Sequence, residues 1–448
     1  MIEYRLKLKS TMIQPYIKKR IILVVERIHV LIFHKKTGLD MNRFLSGLSV
    51  VFVGTFFSSI VLYLVNIFGG RIVGLANFGK FQLILSISQF LTIPMIFGLS
   101  TASIKYIAEH KNEDSKNLVM STSFISYAAF TTISAVVLFL FKNTFSGMFG
   151  VNNNIFVLSI FFSIFLSSFY ISRSFLQGYL KFKMLSTLDI AYSLMIFVSF
   201  VTAIYIFHIE GLYGLFFAYS VGYIAYLIFY LLSIRKIRLI FDKEMFIKII
   251  HYSFYAISGS VIGLLYGNVD KLILNKYYSD ISVGLYSAYY ISSTVVISQI
   301  MQIVITLFFP TVSSINNKYS IINKTKILSW LIFIFSTLLS IPITYFSLKI
   351  MGGSFQINPA LIIVFSINAG VVASYQLRMW LINSDGLSGV KTTVFGSLFI
   401  GIVNFLLCSM LIPKYSILGA SISLLISNTL LCLYFSYMVI KLQLKYEQ

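Results

Sequence analysis

Acidic residues are scarce in this chain. Its 448 residues include 14 Asp and Glu against 35 Lys and Arg, a net charge of +21, yet charged side chains make up only 11% of it. So few ionisable groups exclude an ordinary soluble domain. There are only two cysteines, Cys408 and Cys432, both in apolar runs. They have no metal-ligand spacing and read as small packing residues. Catalytic signatures are missing as well. No GxxxxGK[ST] loop, no HExxH and no acidic pair in a polar loop occurs, so no cofactor, metal or self-contained ATPase is implied. Large polar insertions are absent too, and a membrane enzyme that assembles sugars normally needs one to carry its chemistry.

What is present is apolar: 58% of residues are hydrophobic, and the mean hydropathy is +0.88. The apolar runs are long enough to cross a bilayer as helices, and in hydrocarbon the backbone must satisfy its own hydrogen bonds. A β-barrel would show short alternating segments instead. The chain therefore reads as an all-α integral membrane protein with about twelve transmembrane helices. The first six fall near 44–68, 81–104, 118–141, 155–172, 184–207 and 212–234. The second six fall near 249–269, 283–309, 327–348, 358–377, 390–412 and 417–440.

Basic residues divide unevenly between the two sides. With both termini on the cytoplasmic side, that side holds 28 Lys and Arg and the other holds 7. The bias persists at 18 to 7 when residues 1–43 are set aside. This is the positive-inside pattern. It assigns the high net charge to orientation and anionic headgroups rather than to nucleic acid. Residues 1–43 form a basic extension with Pro15 at its middle. It reads as an amphipathic helix on the membrane face, as an unstructured tail, or as a stretch preceding a start at Met41. No cleavable secretory signal is recognisable there.

The two sets of spans are related. Sliding the sequence by 205 positions places Gly79 on Gly284, Phe81 on Tyr286, Arg71 on Lys276, Arg173 on Arg378 and Gly214 on Gly419. One shift that serves separated places indicates an internal duplication. It predicts two pseudo-symmetric six-helix bundles, residues 44–234 and 249–440. A basic linker, 235–248, joins them, and a short tail, 441–448, follows.

Polar groups at mid-span are candidates for function. Gln89, Gln299, Asn368, Asn404 and Asn428 are uncharged amides. Singly, each reads as a helix–helix hydrogen bond; facing one cavity, they would suit a hydroxyl-rich cargo. The 29 tyrosines could stack on sugar rings or form interfacial belts. Arg173 and Arg378 occupy equivalent points of the two repeats near the basic side. They read as snorkelling flank residues or as a pair of phosphate-binding forks. Arg71, Lys271 and Lys276 could receive the same group at the other side. Asp270 reads as a structural partner of Lys271 or a basic neighbour, with binding of a proton or sodium as the alternative. Asp189 is the other coupling candidate. Pro94 and Pro342 lie inside spans and should bend them, whereas Pro359 starts one.

Several segments together carry a resemblance. RIVGLANFGKFQLILS, GLSTASIKYIAE, IEGLYGLFFAYSVGY, NVDKLILNKYYSDISVGLYSAYYIS and ILGASISLLISN are similar to polysaccharide-biosynthesis flippases of the Wzx type. These belong to the superfamily that includes multidrug (MATE) exporters and the lipid II flippase. The likeness runs from about residue 42 to the end, and VDKLIL…VGLYS is its most specific part. It implies a MATE-like doubled bundle around a cavity that opens alternately to either side. It also implies a bacterial inner-membrane protein whose cargo is an undecaprenyl-pyrophosphate-linked repeat unit of an O antigen or capsule, with a polysaccharide polymerase complex as a possible partner. The basic extension departs from the usual pattern, and twelve spans argue against the lipid II type. The alternatives are a cation-coupled MATE antiporter, against which the scarcity of acids counts, and a membrane polymerase or ligase.

Overall fold

The computed structural model describes residues 39–233, 239–313 and 318–447. The expectations for the extension up to residue 38 and for residues 235–238 of the linker lie outside the described residues. Those residues are almost wholly helical. In the first lobe, α1 (Leu39–Val73), α2 (Leu75–Ile96), α3 (Leu99–Glu109), α4 (Glu113–Leu140) and the short α5 (Lys142–Phe149) come in order. They are followed by α6 (Asn153–Gly178), α7 (Phe182–Tyr205) and α8 (Leu212–Ser233). The second lobe begins with α9 (Lys243–Tyr277). Then come α10 (Asp280–Tyr290), continued through a π-helical turn at Ile291–Val295 into α11 (Val296–Ser313), and α12 (Tyr319–Met351), α13 (Pro359–Asn383) and α14 (Leu387–Glu447).

Ten stretches of the described residues are long and apolar enough to cross a membrane. The last is a double pass. α14 breaks at Ser416, whose φ of 52° is left-handed, just after Pro413. α9 occupies the place expected for the seventh span, which brings the count to the twelve expected.

Two boundaries differ from the sequence reading. The expected second span, 81–104, is two helices. Pro94 removes a backbone donor, and the chain turns left-handed at Phe97 and Gly98. A Cβ on Gly98 would lie 2.4 Å from the Ser253 carbonyl oxygen, so only glycine allows α9 to pack so closely there. The connection expected at 269–283 shrinks to Tyr278 and Ser279, because α9 runs on to Tyr277. Lys271 is thereby buried rather than exposed in a loop.

The repeat recurs in the packing. In the first lobe α1, the first span, packs along α7, the fifth, and in the second α9 packs along α14, which holds the fifth and sixth. In lipid, packing and buried hydrogen bonds must supply the affinity between helices. α6 accordingly presents Ser159, Ser163 and Ser167 at every fourth position, all buried, and the Ser88 hydroxyl of α2 donates to the Ser159 carbonyl at 2.9 Å.

The lobes are joined unevenly. One apolar core extends from the first lobe into Leu274, Tyr286, Met351, Phe355 and Ile412, which lie toward the end opposite the basic loops. Around α11 and the basic ends of α13 and α14 the second lobe has a separate core. The seal at the opposite end includes the repeat-related pair Gly79 and Gly284. A Cβ on Gly79 would lie 1.8 Å from the Asp280 carbonyl oxygen, and one on Gly284 would lie 2.4 Å from that of Leu75. The first turns of α2 and α10 thus cross with backbone against backbone.

At the basic end, the described part of the linker is seated on α4. The Ser121 hydroxyl donates to the Ile240 carbonyl at 2.8 Å, and the Asp242 amide donates to Thr122 Oγ1 at 3.2 Å. Asp242 also caps α9 by accepting from the Met245 amide at 2.6 Å. Asp385, between α13 and α14, latches the end of α14. It accepts from Lys445 Nζ and from the Tyr446 hydroxyl, both at 2.8 Å. Burial alone would raise its pKa. Those two bonds and the Lys445 and Lys318 charges outweigh burial and hold it below the ordinary 3.8. A depressed carboxylate pKa stabilises the fold at every pH above 3.8, and that contribution is lost as pH falls through the lower folded value. Lys445 is 60% exposed, so the latch contributes only about 1 kcal/mol. Asp385→Asn should lower the thermal midpoint by a few degrees at pH ~7 and by nothing once Asp385 itself is protonated. An equal deficit at all pH values in a thermal scan would show that the latch carries no such load.

Candidate functional site

The first span carries more than hydrophobicity. Thr55, Ser59, Tyr63 and Asn66 recur at intervals of four, four and three, which places them on one face of α1. That face borders a cavity of about 770 Å³ between the lobes. α1 forms one wall, the turn at Ile291–Val295 and α11 the second, and the Pro342–Ile350 part of α12 the third. Pro342 lies inside α12 and lines the cavity.

Ser59 and Tyr63 reach across to the second lobe, while Asn66 and Thr55 bond within the first. Ser59 donates to Gln299 Oε1 at 3.1 Å, joining residues 240 positions apart in the sequence. The hydroxyls of Tyr63 and Ser347 are hydrogen-bonded between α1 and α12. Asn66 donates to the Tyr219 hydroxyl at 2.9 Å and accepts from Gln82 Nε2 at 3.3 Å. At the basic end Thr55 donates to Asp189 Oδ2 at 3.2 Å, and the same oxygen takes Arg173 Nη2 at 2.8 Å. Ser59, Tyr63, Asn66, Tyr219, Gln299 and Ser347 thus form a ladder of amides and hydroxyls in a cleft that is otherwise apolar.

The residues singled out from sequence fall into several groups. Gln299 lines the cleft itself. Gln89 accepts from Asn268 Nδ2 at 2.8 Å, a contact between α2 and α9 and so between lobes. Asn368 and Asn404 lie in the second lobe. Asn368 donates to Thr294 at 3.0 Å and accepts from Asn428 at 2.7 Å, and Asn404 accepts from Ser427 at 3.2 Å. These asparagines tie helices of one lobe together. Arg71 is exposed at the opposite end, 3.4 Å from the Ile350 carbonyl oxygen.

The two arginines are not alike. Arg173 on α6 is ion-paired with Asp189 on α7, and its side chain is 30% exposed while that of Asp189 is 2% exposed. The repeat offset of 205 carries Asp189 onto Val394, so Arg378 has no equivalent acid. It is 7% exposed, and its Nη1 contacts Ser374 Oγ at 2.7 Å and Cys432 Sγ at 3.0 Å. No ion pair reaches it among the described residues. A buried guanidinium without an acid retains its appetite for an anion. Neither arginine is an outward-pointing snorkel.

Asp270 corrects an expectation. Its carboxylate does not form an ion pair with the Lys271 side chain, because successive helical residues diverge by about 100°. It takes the Tyr286 hydroxyl of α10 and, at 2.8 Å, the Lys271 backbone amide. Both Asp270 and Lys271 are buried. The tyrosines are also partitioned. Tyr63 and Tyr219 line the cleft, whereas Tyr192, Tyr223 and Tyr226 pack with Phe169 inside the first lobe, at 4.8–5.2 Å between ring centroids.

Thr55, Ser59, Tyr63 and Asn66 escaped the sequence reading, which took other amides and the charges as its candidates. Their signal was a period: four polar positions in register on one face of an apolar helix.

Comparison with solved structures places this architecture among known transporters. An inward-facing multidrug resistance MATE family transporter of the MOP superfamily superposes with a TM-score of 0.67 at 11% identity, over 90% of this chain and 95% of that one. The lipid II flippase MurJ, in an inward closed conformation, gives 0.63 at 18% identity, over 88% and 89%. An uncharacterized membrane protein of Methanocaldococcus jannaschii is 22% identical over 418 residues, covering 85% of this chain and 81% of its own. The fold is thus MATE-like and the protein multi-pass in the membrane. The model of the family described as polysaccharide biosynthesis protein matches residues 44–316, more than half of the sequence, and the chain belongs to that family.

Proposed function

We propose that this protein is a flippase for lipid-linked oligosaccharides. Its cargo is an undecaprenyl-pyrophosphate-linked repeat unit of an O antigen or capsule. The sugar head passes through the cleft while the polyprenyl tail stays in the membrane, and the two bundles, 44–234 and 249–440, rock about their common seal. The basic end, with both termini, faces the cytoplasm of a bacterial inner membrane.

The observation that carries this reading is the polar ladder of α1 facing Gln299 and Ser347 across an otherwise apolar cleft between lobes. Uncharged donors and acceptors suit hydroxyl-rich rings, and a cleft between the two lobes of a doubled bundle suits alternating access. Arg378, buried without an acid, is the group we assign to the pyrophosphate, with Arg173 as its paired counterpart.

The test is deletion of the gene. Lipid-linked repeat units should accumulate on the cytoplasmic face, read by their resistance to a glycosidase added outside intact spheroplasts. Normal surface polysaccharide in a strain with no second flippase would sink the reading. One observation favours a second reading. Asp270 and Asp189, both buried with hydrogen-bond donors at hand, could bind a coupling proton or sodium in a MATE-type antiporter. Dye sensitivity without a glycan defect would select it.

A further inference from the structure

A second hollow lies away from the cleft, at the basic end of the second lobe. It has a volume of about 630 Å³ and lies between the first two turns of α14, the last turns of the same helix, and the connection that precedes it. Three lysines line it, Lys391, Lys441 and Lys445, with one acid, Asp385. The acid is already engaged, since its two oxygens take Lys445 and Tyr446. Lys391 and Lys441 are exposed, and neither has an ion-pair partner among the described residues. The groove is therefore lined by two lysines that no ion pair neutralises.

The groove changes character with depth. Phe395 is one turn beyond Lys391 toward the membrane centre, and Met438 is nearly one turn before Lys441, so both sit about 5 Å deeper than the lysines. Thr392 and the Tyr434 hydroxyl, which donates to the Thr392 carbonyl at 3.2 Å, lie between the two zones. Beside the groove, Phe395 is 64% exposed, Tyr437 62% and Leu444 57%, all facing the surroundings of the lobe. A cationic rim above an apolar wall matches a ligand with a phosphate at headgroup depth and acyl chains below it.

We propose that this groove is a binding site for an anionic phospholipid, its phosphate held between Lys391 and Lys441 and its chains laid over Phe395 and Met438. The apolar wall distinguishes a lipid from free phosphate, which would use only the rim. The site is separate from the transport cleft and stands whatever the cargo.

Native mass spectrometry of the full-length protein in detergent tests it. Phosphatidylglycerol and phosphatidylcholine are added at equal concentration, in parallel with sn-glycerol 3-phosphate. The wild type should retain phosphatidylglycerol about tenfold or more over phosphatidylcholine. Lys391→Gln/Lys441→Gln should lose one bound phosphatidylglycerol, and Lys391→Arg/Lys441→Arg should keep it. Both variants should unfold at the wild-type temperature in lipid-free detergent, since both side chains are exposed. Equal phosphatidylglycerol retention by the glutamine variant would overturn the site. Displacement of the lipid by equimolar glycerol 3-phosphate would overturn its assignment to a lipid.

Discussion

Arg378→Ala is expected to cut export by about 10- to 100-fold while leaving the protein in the membrane at wild-type abundance or above. The size follows from losing one charge-assisted contact to a phosphate. The abundance follows from the site: Arg378 is 7% exposed and has no acid partner among the described residues, so its removal leaves no orphaned charge among them. Arg378→Lys should retain part of the activity, as a point charge without the planar fork. Arg173→Ala should behave differently. It abandons Asp189, 2% exposed, with only Thr55 as a donor, and breaking a buried pair in this way costs about 3–5 kcal/mol. Its main effect should be lost protein. Arg173→Ala/Asp189→Asn should restore abundance but not export. The measurements are membrane abundance by immunoblot and surface polysaccharide in the deletion strain. Full complementation by both single alanine variants would remove the anion-binding role from these residues.

Gly79→Ala and Gly284→Ala should each open the sealed end. The added methyl has no room, at 1.8 Å and 2.4 Å from carbonyl oxygens of the facing helix. Backbone cannot yield as a side-chain tip can, and overpacking of this kind costs about 1–3 kcal/mol in the joined state. A cost confined to one state shifts a two-state equilibrium by about 5- to 150-fold. Ile72 on α1 and Ile357 before α13 are both exposed, flank the seal on opposite lobes, and suit spin labels. Distances between them should lengthen in both glycine variants, and export should fall because the cycle stalls. An unchanged distance distribution would mean that the two glycines do not hold the lobes together.

Much of this molecule was legible beforehand. The break at Pro413–Ser416 fell between the predicted eleventh and twelfth spans, and the 205-residue shift foresaw two glycines that prove to lie against each other. The misreadings share a cause. The second span was taken as one run because apolar residues continue through Phe97 and Gly98; the helix ends where the backbone turns left-handed at those two residues, beside the α9 backbone at Ser253. Asp270 was given Lys271 or a basic neighbour as a charged partner, whereas the Tyr286 hydroxyl of the next helix and the Lys271 backbone amide meet its carboxylate.

Membrane class, the number of passes, the bias of basic loops and the doubling were determined by the sequence by itself. The first three follow from the cost of placing a single residue at a given depth in a bilayer, and the doubling from one 205-position shift that matches separated residues. Only the tertiary structure decided which polar groups meet: Ser59 with Gln299, Tyr63 with Ser347, Arg173 with Asp189, and Arg378 with Ser374 and Cys432. The direction of a side chain around its helix has meaning only once another helix packs against it.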